Sequence, residues 1–487
     1  MSAKIEHVVI IGGGIGGLMS ALALNEHGIK STVFERDPTP PEGIDPADSM
    51  EWHRRGVPQA LHPHFFMGRL RLLIEERYPV LAESLREAGT GQSAFSDYIH
   101  PTLADRVKPM AGDAQLFSFN SRRTTFEMTV RKFVGSLDNV TINDSIKVLR
   151  LLAENIAADQ LAVRGVEVDS AEGPVAFTAD AVIDASGRTS KLTRQLGELG
   201  AVFDEELVDS GIFYFTRHYK LNEGQIYPDI CGLPGQQFND FTIGALPADN
   251  GAFTVTFTIS KEDEAGSKAI RDPDHFQRIT LMSGRIGPWV DPERATPTSD
   301  VYGFGQMDSF WRRTVVNGKA GILNFFCVGD SGIRGNPKYG RGCTWSSIAA
   351  HLLADLIAEE MLPEARIAQY EALLEDEFRE DWITMREIDL AAQRNFRICM
   401  GKEKATLLDR AKMYFGMLFL DALVTEPELF REVWREYHGL ATIGVWQRSP
   451  VNWFRLARAI LTRGSTNHIR ISEQARPTHE ELVAPVK

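Results

Sequence analysis

Two glycine-rich turns hold the residues best suited to chemistry in this chain. The first, Gly12-x-Gly14-x-x-Gly17, follows the apolar run Ile5–Ile11 and opens a helical stretch. In that context the first glycine permits a tight turn, the second lets backbone approach a pyrophosphate, and the third lets helix and strand pack closely. Ile15 lies inside this turn, where a helix N-terminus offers free N–H groups and a positive dipole to phosphate. Glu35 ends the next strand, at the spacing where a carboxylate accepts from ribose hydroxyls; a turn that merely packed a helix would leave this acid unexplained. The second turn lies far downstream. Phe326-Cys-Val-Gly-Asp330 is followed by Asn336-Pro337-Lys-Tyr-Gly340-Arg-Gly342, which opens the helix-like stretch Cys343–Ile357. The fingerprint alone does not separate NAD from FAD. Two phosphate-facing loops so far apart suggest one long cofactor spanning both, and that cofactor is FAD.

The elements that must position these residues follow from periodicity. Ile5–Ile11 is short, β-branched and bounded by glycines, as a buried parallel strand should be. Helical spacing covers Gly17–His27, a second strand covers Lys30–Glu35, and together they make a right-handed βαβ unit. Asp37–Asp48 is proline-rich and reads as a loop, residues 62–89 as helical, and Phe126–Val134 as a further helix. Strand candidates are Val140–Ile142, Val163–Val168 and Ala181–Asp184, the last entering a Ser186-Gly187 turn. Between 200 and 320 the pattern alternates, as in Gly211–Tyr219, Asp240–Leu246 and Phe253–Ile259, which predicts a mainly antiparallel sheet covering a ligand. From Glu364 the chain is helical, with Tyr370, Leu374, Phe378, Trp382 and Met385 on one face.

The expected fold class is therefore α/β: an FAD-binding Rossmann-like domain with an interleaved, mainly antiparallel β-sheet substrate domain and a C-terminal helical region. The expected division is FAD-binding over 1–190 with a substrate-side excursion near 86–115, substrate sheet over 191–315, FAD-binding return over 316–362, and helices over 363–487.

Composition narrows the function classes. The 487 residues are 43% hydrophobic and 24% charged, ordinary for a globular chain, and the net charge of -13 argues against a nucleic-acid partner. The cysteines Cys231, Cys327, Cys343 and Cys399 form no CxxC pair and no metal spacing, so no structural metal is expected and a reducing cytoplasm is the default. No segment is apolar for long enough to span a bilayer, and Val8–Leu24 belongs to the fold rather than to a signal peptide.

In their order along the chain, Gly12–Gly17, Glu35-Arg36, Arg123-Thr-Thr-Phe-Glu127, Asp184-Ala-Ser-Gly187, Gly329-Asp330 and the Asn336–Gly342 loop resemble the flavoprotein hydroxylases and epoxidases of the para-hydroxybenzoate hydroxylase fold. The resemblance implies that Glu35 binds ribose and that Arg36 and Arg123 lie against the adenosine diphosphate. It further implies that Asp330 holds the ribityl or pyrophosphate region, and that the Pro337–Gly342 loop, including Gly340, presents N–H groups near the isoalloxazine. Gly56-Val-Pro-Gln59-Ala-Leu-His62-Pro-His64 is also similar to a segment of bacterial FAD-dependent epoxidase-like enzymes. Gln59, His62 and His64 are thus the flavin-adjacent candidates, with a metal pair or a helix cap as the alternatives for the two histidines.

The activity so implied is monooxygenation: one oxygen atom of O2 passes from a flavin hydroperoxide to an apolar or aromatic metabolite, by hydroxylation or epoxidation. Electrons come from NAD(P)H, directly or through a separate flavin reductase or electron carrier, because Ser186 replaces an aspartate of the hydroxylase pattern and Thr193 its arginine. That variant is similar to halogenases and geranylgeranyl-reductase-type proteins, so a flavin dehydrogenase or reductase is the alternative enzyme, and a non-enzymatic flavin-bound protein the third reading. Halogenation is set aside because neither Trp289 nor Trp311 lies in a Trp-x-Trp-x-Ile-Pro motif. Near the C-terminus, Met413–Leu423 and Trp446, Trp453, Phe454 and Leu456, flanked by Arg455, Arg458 and Arg463, read either as a packed helical cap or as a cover for a lipophilic substrate or membrane contact.

Overall fold

β-Branched residues buried on both faces build the central sheet. In β1 (His7–Ile11), Val8 and Ile10 point into one apolar cluster and Val9 and Ile11 into another, so the strand is covered on both sides. Helix α1 (Ile15–Glu26) returns the chain to β2 (Lys30–Phe34). Later come α2 (Arg123–Val134), β3 (Val140–Asn143), β4 (Ala181–Asp184) and, after a long excursion, β5 (Phe325–Cys327). The order is β5-β4-β1-β2-β3, all parallel. This computed structural model describes residues 4–157, 159–229, 235–237, 241–462, 470, 474–475 and 477–484. Within them the α/β class is as expected.

Helix α3 (Gly342–Ala358) lies beside α1 over one face of this sheet. The other face carries an antiparallel meander, Lys147–Ala157, Gln160–Ser170 and Gly173–Thr178, of which sequence periodicity suggested only the middle strand. The reason is physical. Leu149, Ile156, Val175 and Phe177 in the flanking strands are all exposed, so no buried face imposes alternation on them.

A second, antiparallel sheet holds Phe241–Pro247, Ala252–Ser260 and Ile212–Leu221 at its centre. The strand expected from Asp240 starts on a residue outside the described set and is seen from Phe241. Phe215, Tyr219, Ile243, Phe253 and Phe257 fill the core between this sheet and the helix Pro273–Leu281. The opposite face carries Tyr214, Thr216 and His218 from alternate positions of one strand.

Residues 62–89 are not one helix. The structure has Gly68–Arg77 and Pro79–Glu87, broken at Tyr78, because proline has no N–H to continue the ladder and disfavours helical backbone before it. The C-terminal helices are α4 (Pro363–Cys399), α5 (Leu407–Thr425), α6 (Pro427–Tyr437) and α7 (Pro450–Leu461). Tyr370, Leu374, Phe378, Trp382 and Met385 of α4 join the main core, while α5, α6 and α7 share a cluster with Phe65 and Met67. No helix among the described residues is long and apolar enough to cross a membrane.

Candidate functional site

One cavity of about 700 Å³ runs between the two glycine turns. Its wall includes Gly12, Gly14, Ile15, Glu35, Arg36 and Arg123 from the first region, with Asp330, Pro337, Gly340 and Gly342 from the second. Gln59, His62 and His64 line it too, so the structure brings the residues singled out from sequence into one space, except Gly17, which packs against the Gly12 carbonyl behind the wall. The volume falls within the roughly 300–1,000 Å³ usual for ligand sites.

At the first turn the glycines are required sterically. Gly12 has φ +103°, and a Cβ there would lie 2.5 Å from the Ala185 carbonyl oxygen; one on Gly17 would lie 1.9 Å from the Gly12 carbonyl oxygen. Gly14 precedes α1 with no side-chain cap, leaving the helix N–H groups free toward the cavity. Helix α3 likewise starts without a side-chain cap, and its first residues, Gly342 and Cys343, face the same cavity. Two helix N-termini thus open on one space.

The acid after β2 is engaged on both oxygens. Glu35 is 4% exposed; it accepts from Gly13 N at 2.7 Å, Asp37 N at 2.8 Å and Arg54 Nη2 at 2.9 Å. A carboxylate has about four acceptor positions, so room remains for one further donor such as a hydroxyl. Arg54 is the centre of this network. It also donates to Asp37 at 3.1 Å and to Glu127, and Glu127 in turn accepts from Arg123 Nε at 2.8 Å. Arg123 is therefore a buried, paired residue rather than a solvated helix-end cation. Burial pushes the Arg54 guanidinium below its usual pKa despite these acids.

The histidines at the other end of the cavity are uncharged. His62 joins Thr216 Oγ1 through Nδ1 at 2.9 Å, and its ring lies 5.1 Å from that of Phe304. His64 donates from Nδ1 to the His62 carbonyl at 3.0 Å, which leaves Nε2 to accept from Arg123 Nη1 at 3.4 Å. Burial and His218 hold His62 down to about 3, and burial and Arg123 hold His64 to about 3, so both rings are neutral near neutral pH. Neither caps the helix that follows, which starts after Met67. Metal-type clusters of three or more ligating side chains do not occur among the described residues.

Loop 336–342 is held from behind by the C-terminal helices. Asn336 Nδ2 and Tyr339 OH both donate to Asp389 Oδ1 at 3.0 Å, Arg341 donates to the Glu436 carbonyl at 2.7 Å, and Trp382 donates to the Arg334 carbonyl at 3.1 Å. Asp330 pairs with Arg188 at 3.3 Å, and the Arg188 guanidinium lies over the Phe304 ring at 5.2 Å. The Ser186-Gly187 turn binds back to its own strand: Ser186 and Ser190 hydroxyls both donate to buried Asp184 at 2.6 Å.

Residues 7–55 match the family described as pyridine nucleotide-disulphide oxidoreductase. Across nearly its whole length the chain superposes on solved flavoproteins. The flavin-dependent brominase Bmp2 matches with a TM-score of 0.59 at 14% identity, over 96% of this chain and 100% of that one. PqsL, a probable FAD-dependent monooxygenase from Pseudomonas aeruginosa, matches with a TM-score of 0.59 at 15% identity, over 82% and 100%. The chain has the fold of the flavin-dependent monooxygenases and halogenases. Among curated proteins, Protein Rv3254 of Mycobacterium tuberculosis is 27% identical over 381 residues, 74% of this chain and 75% of that protein.

Arg54, Asp37, Arg188, Phe304 and Asp389 were not singled out from sequence. Only Arg54 had a signal, its place just before the Gly56–His64 segment.

The chemistry of the walls fits FAD. Gln59 Oε1 is a buried acceptor without a partner at the histidine end. Uncapped helix N–H groups at one end and an unpaired acceptor at the other suit a ligand that is anionic at one end and offers N–H groups at the other.

Proposed function

We propose that the chain is an FAD-dependent monooxygenase that places one oxygen atom of O2 on an apolar or aromatic metabolite. The observation that carries the reading is the single cavity joining two uncapped helix N-termini to a neutral, aromatic-lined end. Bound there, FAD supplies the redox chemistry and the activation of O2. Gly12, Gly14, Ile15 and Gly17 would present α1 to the pyrophosphate. Glu35 would take a ribose hydroxyl with Arg54 fixing its carboxylate, while Arg36 and Arg123 would lie along the adenosine diphosphate. Asp330 and the Pro337–Gly342 loop, with Gly340, would hold the ribityl chain and the ring.

At the neutral end the side chains exclude water and orient the substrate. His62 and His64 are held neutral by burial, so they supply hydrogen bonds without bringing in the water that a charge retains. Tyr214 and Phe304 offer the substrate apolar surface. NAD(P)H reaches the site directly or through a separate reductase. The bound-back Ser186-Gly187 turn, which differs from the hydroxylase pattern, supports the indirect route.

The test is to purify the protein, record its flavin spectrum, reduce it anaerobically, and admit isotopically labelled O2 with candidate aromatic and isoprenoid substrates. Labelled oxygen in the product supports the proposal. Substrate oxidised or reduced with no O2 consumed would favour a dehydrogenase or reductase of the geranylgeranyl-reductase type. A protein that gains no flavin spectrum on adding FAD would overturn both.

A further inference from the structure

Helices α5 and α7 leave an apolar face bare. Leu407, Leu408, Phe454 and Leu461 are 87%, 62%, 67% and 85% exposed, and Tyr414, Phe415, Val451 and Trp453 are exposed beside them. Phe415 and Trp453 meet across the two helices with ring centroids 6.2 Å apart, which joins the exposed apolar residues of one helix to those of the other. Leu408 and Phe415, like Leu407 and Tyr414, are two turns apart and share a helix face. Single exposed apolar residues need no explanation, but a contiguous aromatic and aliphatic patch on a polar chain does.

The charges left unpaired around this patch are cations. Lys404, Arg410 and Lys412 are exposed, and their side chains make no ion pair or hydrogen bond among the described residues. The nearby acids are already engaged: Glu403 and Asp409 both bind Arg394. Helix α7 contains no acidic residue, and its Arg455 and Arg458 are paired with Glu428 and Glu426. In a chain of net charge -13, three unpaired cations beside an apolar patch favour an anionic partner with an apolar interior. No helix among the described residues is long and apolar enough to cross a membrane, and the contact argued for is in-plane.

We propose that this face docks on an anionic phospholipid bilayer, with Leu407, Leu408, Phe415, Trp453 and Phe454 entering the acyl boundary. Lys404, Arg410 and Lys412 then lie at the level of the lipid phosphates. Behind the patch, Trp453 contacts Trp446, which stacks on Phe419 at 4.7 Å, and the same cluster continues to Phe65 on the cavity wall. The docking face and the cavity therefore belong to one packed unit, a fitting arrangement for a substrate drawn from lipid. The proposal does not depend on the oxygenase reading.

The test is co-sedimentation of the full chain with vesicles of phosphatidylcholine alone and of phosphatidylcholine with phosphatidylglycerol. Binding is expected with the anionic vesicles, weakening with salt, and little with the neutral ones. Neutralising two cations in R410Q/K412Q should lower partitioning on the order of thirty-fold. L408E/F454E should abolish it, with melting temperature and flavin content unchanged because both positions face solvent. If that variant fails to fold, the milder Leu407→Ser and Phe454→Ser carry the same test. Failure to bind either vesicle would overturn the proposal, as would undiminished binding by the apolar-face variants. So would a dimer in solution that these substitutions dissolve while vesicles bind nothing, since the patch would then join copies of this chain.

Discussion

The two ends of the cavity solve opposite electrostatic problems with side chains that are buried or half-buried. At the β1–α1 end, Glu35, Asp37 and Glu127 share Arg54 and Arg123 in a closed network of charges. At the 336–342 end, His62, His64 and Gln59 are neutral, Asp330 is paired with Arg188, and Asp389 sits behind the loop and is pushed up in pKa by burial. A pyrophosphate needs fixed cations and dipoles. A reacting ring and an apolar substrate need the absence of water. The difference shows that burial alone does not define a site; what matters is whether charge is retained and paired or removed altogether.

The comparison breaks hardest at Arg54, whose side chain is 2% exposed and neutralises three acids. In Arg54→Met those acids are left close together and buried, and removing one partner of such a set costs about 3–5 kcal/mol. Denaturant unfolding should show a loss of that size. Binding of both ADP and FAD should weaken together, because Glu35 is no longer held in place. An Arg54→Met protein as stable as the parent would mean that the network is not closed in solution.

The contrast also marks how much the sequence alone could reveal. The glycine turns were legible because steric need is local: Gly12 and Gly17 meet atoms of their own turn or of the adjoining strand-end, and only glycine fits. Ala181–Asp184 was legible because a strand buried on both faces is a short apolar run. Arg54 was not, because its partners come from the ends of β2 and from α2, and no periodicity records a meeting of three segments. Asp389 was hidden for the same reason, as it reaches the loop from α4. The two outer meander strands were missed because their sides face solvent, and residues 62–89 were overextended because an apolar helical period ran through Pro79.

The neutral end makes its own prediction through pH. His62 and His64 are held at about 3 in the folded chain, against an ordinary value of 6.5. The unfolded chain therefore binds more protons between those values. Stability is full above pH 6.5 and falls as pH drops toward 3, by about 1.4 kcal/mol per unit for each such histidine at most. Melting temperature recorded from pH 7 to 5 should fall, and His62→Gln should flatten the slope by about one histidine's share. An unchanged slope would mean that His62 titrates near its ordinary value in the folded state and that this end of the cavity is wet.

The smallest effect belongs to the tie between the C-terminal helices and the loop. Asp389 accepts from Asn336 and Tyr339, both at 3.0 Å. Asp389→Asn keeps an oxygen for those donors but gives up the charge that strengthens them, a change of about 1 kcal/mol or less. Its value lies in where it acts. Because Asp389 touches only the 336–342 loop, ADP should bind the variant as it binds the parent. FAD should bind slightly less tightly and show a shifted flavin absorption band. Arg54→Met, by contrast, weakens both ligands. If Asp389→Asn altered ADP and FAD alike, the two ends of the cavity would be mechanically one, and the division between a charged grip and a neutral chamber would fail.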